Sequence, residues 1–248
     1  MPYPFARTEI LLGAPAVATL RDRHVLIAGV GGVGGYVAEN LARAGVGHIT
    51  LIDHDVVSIS NINRQLVALH STLNQPKVAV MAARIRDIHP DCVLETRQEF
   101  INADNAQGLL TGSGVEVVAD CIDAIACKAV LIQTAQTLDL PVFSSMGAGN
   151  RLDPRRVRVA KLNQTEKCPL ARELRALLRK NGAPLDVQTV FSDESPRPAA
   201  PPAEVSGPGG RAKTVNGTIS FMPALFGVVL SGIIVQHLLA TGGNPNSD

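Results

Sequence analysis

Apolar positions 24–29 form a short continuous run of strand length, and a glycine-rich turn follows it. Positions 33–44 then alternate with helical period and stop at Gly45, and a second apolar run covers 48–52. Strand, glycine loop, helix and strand in that order open a doubly wound α/β sheet. Further strands are expected at 93–96, 115–121 and 141–145, with helical patterns at 77–88 and 125–138 between them. After Gly149 the chain turns polar and basic, with a candidate strand at 157–161 and a helix at 170–180. The pattern predicts an α/β fold: a Rossmann-like, mainly parallel sheet over 1–150, then a smaller C-terminal α+β lobe over 151–248, joined as one continuous domain.

Two C-terminal segments stand apart from this alternation. The sixteen residues 195–210 hold five Pro and three Gly, which reads as a flexible loop reaching to about 213. Residues 219–240 contain no Asp, Glu, Lys or Arg and are long enough to span a bilayer. Pro223, Ser220, Ser231, Gln236 and His237 interrupt the run, and neither an aromatic belt nor a basic cluster flanks its end. A core or dimer-interface helix is therefore the better expectation than a membrane span.

Composition changes this picture little. There is no Trp, with two Tyr and six Phe, so the core must be aliphatic. Net charge is +1, but 151–180 alone carries ten basic residues against three acids, which makes that stretch a candidate surface for RNA phosphates. Cys92, Cys121, Cys127 and Cys168 contain no CxxC pair, so neither a four-thiolate zinc site nor a thioredoxin-like motif is expected. The N-terminus lacks the apolar core of a signal peptide, and the expected location is the cytoplasm.

The candidate chemistry begins with Gly29-Val30-Gly31-Gly32-Val33-Gly34, a GxGxxG loop between strand and helix, and Asp53 about twenty residues on. Such glycines let backbone N–H groups approach a phosphate at a helix N-terminus, and the acid takes ribose hydroxyls. The loop alone would fit NAD. Ser60-Asn61-Ile62-Asn63-Arg64-Gln65 and Gln75-Pro76-Lys77 add two cations, Arg64 and Lys77, that a triphosphate needs and a nicotinamide does not. Asp123 offers an oxygen ligand for Mg²⁺. ATP and Mg²⁺ are thus the expected cofactors.

This ordered set resembles the adenylation motifs of the ubiquitin-activating-like, or ThiF-type, superfamily. The resemblance implies ATP contacts from Gly29, Gly31, Gly32, Gly34, Asp53, Asp55, Ser60, Asn61, Asn63, Arg64, Lys77 and Asp123, with Asp123 on the metal. It also implies that Arg7 reaches the nucleotide of a partner subunit, and hence a homodimer; Arg7, Arg64, Lys77 and Asp123 are its implied catalytic residues.

Sulfur-carrier activators of that superfamily bear paired CxxC motifs, absent here. Instead Ser144-Ser145-Met146-Gly147-Ala148-Gly149-Asn150, Cys168-Pro169-Leu170-Ala171-Arg172, Val190-Phe191-Ser192-Asp193-Glu194 and Gly217-Thr218-Ile219-Ser220-Phe221-Met222-Pro223 occur in the order seen in the tRNA threonylcarbamoyladenosine dehydratase family. The resemblance implies ATP-dependent cyclisation of N6-threonylcarbamoyladenosine beside the tRNA anticodon, through an acyl-adenylate, with release of AMP and pyrophosphate. A cysteine desulfurase or sulfur acceptor stands as a further candidate partner. The alternatives are adenylation of a ubiquitin-like or sulfur-carrier C-terminus, a non-catalytic sulfur-relay scaffold, and an NAD-dependent oxidoreductase.

Overall fold

The computed structural model describes residues 3–111, 114–198 and 216–242. Most of the Pro-rich stretch 195–213 lies outside them. A short helix α1 (Ala6–Leu12) turns at Gly13 into α2 (Ala14–Arg21), and β1 (His24–Ala28) follows with all five residues buried. The glycine loop leads into α3 (Gly34–Ala44), β2 (His48–Ile52), α4 (Lys77–Ile88), β3 (Val93–Arg97) and α5 (Ala106–Thr111). Then come β4 (Val117–Asp120), α6 (Ile125–Thr137), β5 (Val142–Ser145), β6 (Val157–Lys161), α7 (Pro169–Lys180), β7 (Gln188–Ser192) and the long α8 (Phe221–Thr241).

The strands form one seven-stranded sheet in the order β3-β2-β1-β4-β5-β7-β6. All neighbours run parallel except β6, which closes one edge antiparallel to β7. The expected fold class is thus observed. The chain after Gly149 extends the same sheet rather than building a second one, since β7 pairs directly with β5.

Helix α8 carries a buried stripe of Met222, Phe226, Leu230, Ile234 and Leu238. It packs closely on α3: a Cβ at Gly227 would sit 2.5 Å from the Val33 carbonyl oxygen and 2.7 Å from Tyr36 Cβ. Glycine there is what allows the two backbones to approach. Although α8 is long and apolar enough to cross a membrane, that stripe belongs to the main hydrophobic core.

Sequence patterning passed over α1, α2, α5 and β7. Helix α1 buries none of its residues fully and leaves Ile10 and Leu11 bare, and only Leu12 packs against the core, so no apolar stripe marks it in the sequence. Strand β7 buries Thr189 and Ser192 beside Val190 and Phe191, and two buried hydroxyls break the apolar run that marks a central strand.

Candidate active site

The sheet order reverses between β1 and β4, and in open α/β sheets a ligand crevice forms outside the strand ends at that switch. A cavity of about 770 Å³ lies there. Residues from the ends of β1 and β2 line one side, Cys121, Ile122 and Asp123 after β4 line the middle, and Ser145 to Arg151 after β5 line the other side with Cys168, Pro169 and Leu170.

On the β1 side, Gly29 has φ +88°, and a Cβ there would meet the Cys121 carbonyl at 3.0 Å; one at Gly34 would lie 1.8 Å from the Gly29 carbonyl oxygen. Side chains at either position would break the turn. Gly31 faces nearly open space, the nearest atom being Gln65 Nε2 at 3.8 Å. A concave backbone beside open space is what phosphate oxygens require at a helix N-terminus.

Asp53 is buried at the end of β2. Its Oδ2 accepts the Val30 N–H at 2.6 Å and its Oδ1 accepts the Asp55 N–H at 2.8 Å. The acid expected to meet a ribose therefore first braces the glycine loop against the β2 exit. Each carboxylate oxygen keeps a second lone pair, so bracing is compatible with a ribose contact.

Lys77 opens α4 with its side chain 5% exposed, and its Nζ lies 2.7 Å from Asp55 Oδ2. Asp55 is half exposed and also lies 3.1 Å from His54 Nε2. Arg64 bends over Gly32, where a Cβ would touch Arg64 Cγ at 3.4 Å. Its guanidinium donates to the Ser60 carbonyl and to Asn63 Oδ1, each at 3.0 Å. Asn63 in turn donates to the Thr218 carbonyl at 3.1 Å. Ser60 and Asn63, expected as nucleotide contacts, thus lie off the cavity wall and hold Arg64 over it. Asn61 does line the cavity, where its Oδ1 accepts the Ser58 N–H at 3.1 Å and fixes the turn.

Asp123 is exposed on the cavity wall with no hydrogen bond or ion pair among the described residues. Arg7 is not brought to this cavity: it sits on α1, exposed, within its own subunit.

Sequence reasoning missed the group beneath the floor. Lys128 on α6 is fully buried, and its Nζ donates to Asp120 Oδ2 at 2.6 Å, Ser144 Oγ at 3.1 Å and the Ser145 carbonyl at 3.0 Å. The available signal was a lone charge in a helix that otherwise has none.

The cysteines give no sign of a nucleophile among those whose titration is perturbed. Burial, reinforced by the Asp120 carboxylate and opposed by Lys128, pushes the Cys121 thiol up; burial also raises Cys127 and pushes Cys92 up to about 11. A thiol held protonated at neutral pH is a poor attacking group. Cys168 is buried on the cavity wall, 3.9 Å from where a Gly147 Cβ would lie.

The basic segment divides by commitment. Buried Arg151 donates to the carbonyls of Glu194 and, at 2.7 Å, Lys167. Arg175 donates to the Thr165 carbonyl at 2.9 Å and to the Thr165 hydroxyl. Arg156 and Arg158 share Asp193. Arg172, Arg179 and Lys180 stay exposed along α7.

Comparison with known proteins agrees with this arrangement. The model of the ThiF family matches residues 5–247. The chain is 39% identical over 244 residues to the tRNA threonylcarbamoyladenosine dehydratase of Bacillus subtilis, covering 96% of each. It is 39% identical over 198 residues to the enzyme of that name from Escherichia coli, covering 77% of this chain and 74% of that one. The crystal structure of the Escherichia coli enzyme in complex with ATP superposes with a TM-score of 0.86 at 34% identity, covering 98% of this chain and 96% of the other. With the family model matching residues 5–247 and a relative 39% identical over 96% of each chain, the chain belongs to the ThiF family.

Proposed function

We propose that the protein is an ATP-dependent dehydratase that converts N6-threonylcarbamoyladenosine in tRNA to its cyclic hydantoin form. The observation that carries this reading is a single cavity lined by the glycine loop, Arg64 and Lys77 on one side, by Asp123 in the middle and by the uncharged segment 145–150 on the other. Similarity over 96% of one relative bearing that activity in its name, and over 74% of another, supports the same substrate.

The residues fit ATP. The glycine loop has the bare concave backbone that phosphate needs, and Arg64 and Lys77 stand at its rim. In this scheme ATP competes with Asp55 for Lys77, which is feasible because Asp55 is half exposed. Asp53 takes the ribose, Asn61 and Arg64 the phosphates. Asp123 is an unpaired hard oxygen donor of the kind Mg²⁺ takes, and that ion would neutralise phosphate charge during transfer.

The threonine carboxylate attacks the α-phosphorus and displaces pyrophosphate, giving an acyl-adenylate. The carbamoyl nitrogen then attacks the activated carbonyl, loses its proton, and expels AMP as the five-membered ring closes. Because nucleophile and electrophile share one molecule, effective molarities of about 10⁵ M or more are available, and no enzymic thioester is required. The cyclisation itself consumes no sulfur, so a cysteine desulfurase or sulfur acceptor would act as a partner outside the chemical step. We place the enzyme in the cytoplasm as a homodimer in which Arg7 of each subunit serves the other; the bare Ile10 and Leu11 beside it favour a covered α1.

The test is incubation with ATP, Mg²⁺ and tRNA carrying the threonylcarbamoyl modification, followed by nucleoside mass spectrometry. Loss of one water from the modified nucleoside together with AMP is the expected result. Verified substrate left unchanged by protein that binds ATP would overturn the reading in favour of carrier-protein adenylation.

A further inference from the structure

Below the cavity floor an ion pair joins two strand ends that belong to different sides of the site. Lys128 Nζ has three protons and three acceptors: Asp120 Oδ2 at 2.6 Å, Ser144 Oγ at 3.1 Å and the Ser145 carbonyl at 3.0 Å. Ser144 Oγ also donates to Asp120 Oδ2 at 2.6 Å, and Asp120 Oδ1 accepts the Ile122 N–H at 3.2 Å. Both charged side chains are 0% exposed, so neither touches a ligand.

Such a pair is poor material for stability. Removing two charges from water costs as much as their attraction returns, and apolar residues of the same volume commonly do as well or better. A fully satisfied buried network does something else well: it admits one arrangement of the backbone around it. Here that backbone is the turn 121–124, which carries Asp123, and the start of 145–150, which lines the neighbouring side. The two strands pair only at Val118, Ala119 and Asp120 with Val142, Phe143 and Ser144. Beyond that register no ladder bond joins β4 to β5; β7 holds the far side of β5, where the Met146 N–H donates to the Val190 carbonyl at 2.8 Å, and Lys128 crosslinks the facing ends of β4 and β5.

We propose that Lys128, with Asp120 and Ser144, is a positioning residue for the transfer step: it fixes the distance between the nucleotide side at Asp123 and the acceptor side at 145–150. The inference rests on the reading of the cavity as an adenylation site. Activating a carboxylate requires nucleotide and acceptor to be held at near-attack distance, and a displacement of about 1 Å can cost about 10²-fold in rate.

The test uses the full chain and the double variant Lys128→Met with Asp120→Asn, which removes both charges together and leaves an amide to bond Ile122 and Ser144. Hydrogen exchange is read at Ile122 and Met146, and kcat, KM for tRNA and the ATP dissociation constant are read alongside. The expected result is faster exchange at Ile122, whose bond to a neutral amide is weaker than to the carboxylate, and at Met146, whose bond to the Val190 carbonyl opens more often once 145–150 is untied, with kcat lower by about 10²-fold and ATP affinity and KM little changed. Unchanged exchange, unchanged kcat, or a kcat loss matched by an equal loss of ATP affinity overturns the proposal. If the double variant does not fold, Ser144→Ala carries the same test with a smaller expected effect in the same direction. Wild-type protein run in parallel separates the two readings: its failure to cyclise the nucleoside sinks the proposed function, while exchange still decides whether Lys128 ties the two segments.

Discussion

Two helices of this fold each carry a lysine whose ammonium meets an aspartate, and the roles proposed for the two pairs are opposite. At the start of α4, Lys77 is buried, but its partner Asp55 is 49% exposed on the cavity wall. Within α6, Lys128 and Asp120 are both 0% exposed. Chemistry and distance are nearly the same, 2.7 and 2.6 Å. What differs is whether the anion can be replaced. A partner open to solvent yields to a better anion such as a triphosphate; a sealed one cannot leave without stranding a charge. Access, more than pairing, separates a cation that binds from a cation that holds.

The comparison breaks first in stability. Lys128→Ala leaves Asp120 buried without its counter-charge, which should cost about 3–5 kcal/mol, while Lys77→Ala leaves a carboxylate that water can reach and should cost about 1 kcal/mol or less. Urea unfolding of the two variants, followed by circular dichroism, checks this. Equal losses would mean that exposure of the partner does not matter.

Activity should not follow that ranking. Lys77→Ala should cut adenylation by about 10²-fold or more, because a prepositioned cation that neutralises developing phosphate charge is worth about that much. Substrate-dependent AMP formation, measured with the variant shown to be folded, is the check. Unchanged AMP formation would leave Lys77 as a mere partner of Asp55.

The same distinction explains what the sequence could announce. Strand, glycine loop, helix and strand were legible because burial there imposes simple periods, and α4 spans the positions its pattern gave. The residues proposed to meet the nucleotide were legible as motifs placed after the ends of successive strands: the glycine loop after β1, Asp53 and the 60–65 segment after β2, and Asp123 after β4. Lys128 was not, since its acceptors at Ser144 and Ser145 come from another strand, and a lysine in a helix reads by default as solvated. Ser60 and Asn63 were legible as a motif but not by role: only the folded chain turns their oxygens onto Arg64.

The smallest effect carries the comparison out to the surface. Arg175 is committed, with its guanidinium on Thr165, whereas Arg172, Arg179 and Lys180 along the same helix have no anionic partner among the described residues. If α7 meets RNA phosphates, each open cation released from that contact should flatten the dependence of log affinity on log salt by about 0.7–0.9. Replacing Arg172, Arg179 and Lys180 with Gln should therefore reduce the slope by about 2 and weaken tRNA binding most at low salt. Arg175→Gln should leave the slope alone and appear only as a modest loss of stability, because the hydrogen bonds it surrenders are internal. Filter binding of tRNA over a salt series decides between the two classes. Equal slopes for both variants would move the RNA surface off α7 and confine the distinction between open and committed cations to the cavity.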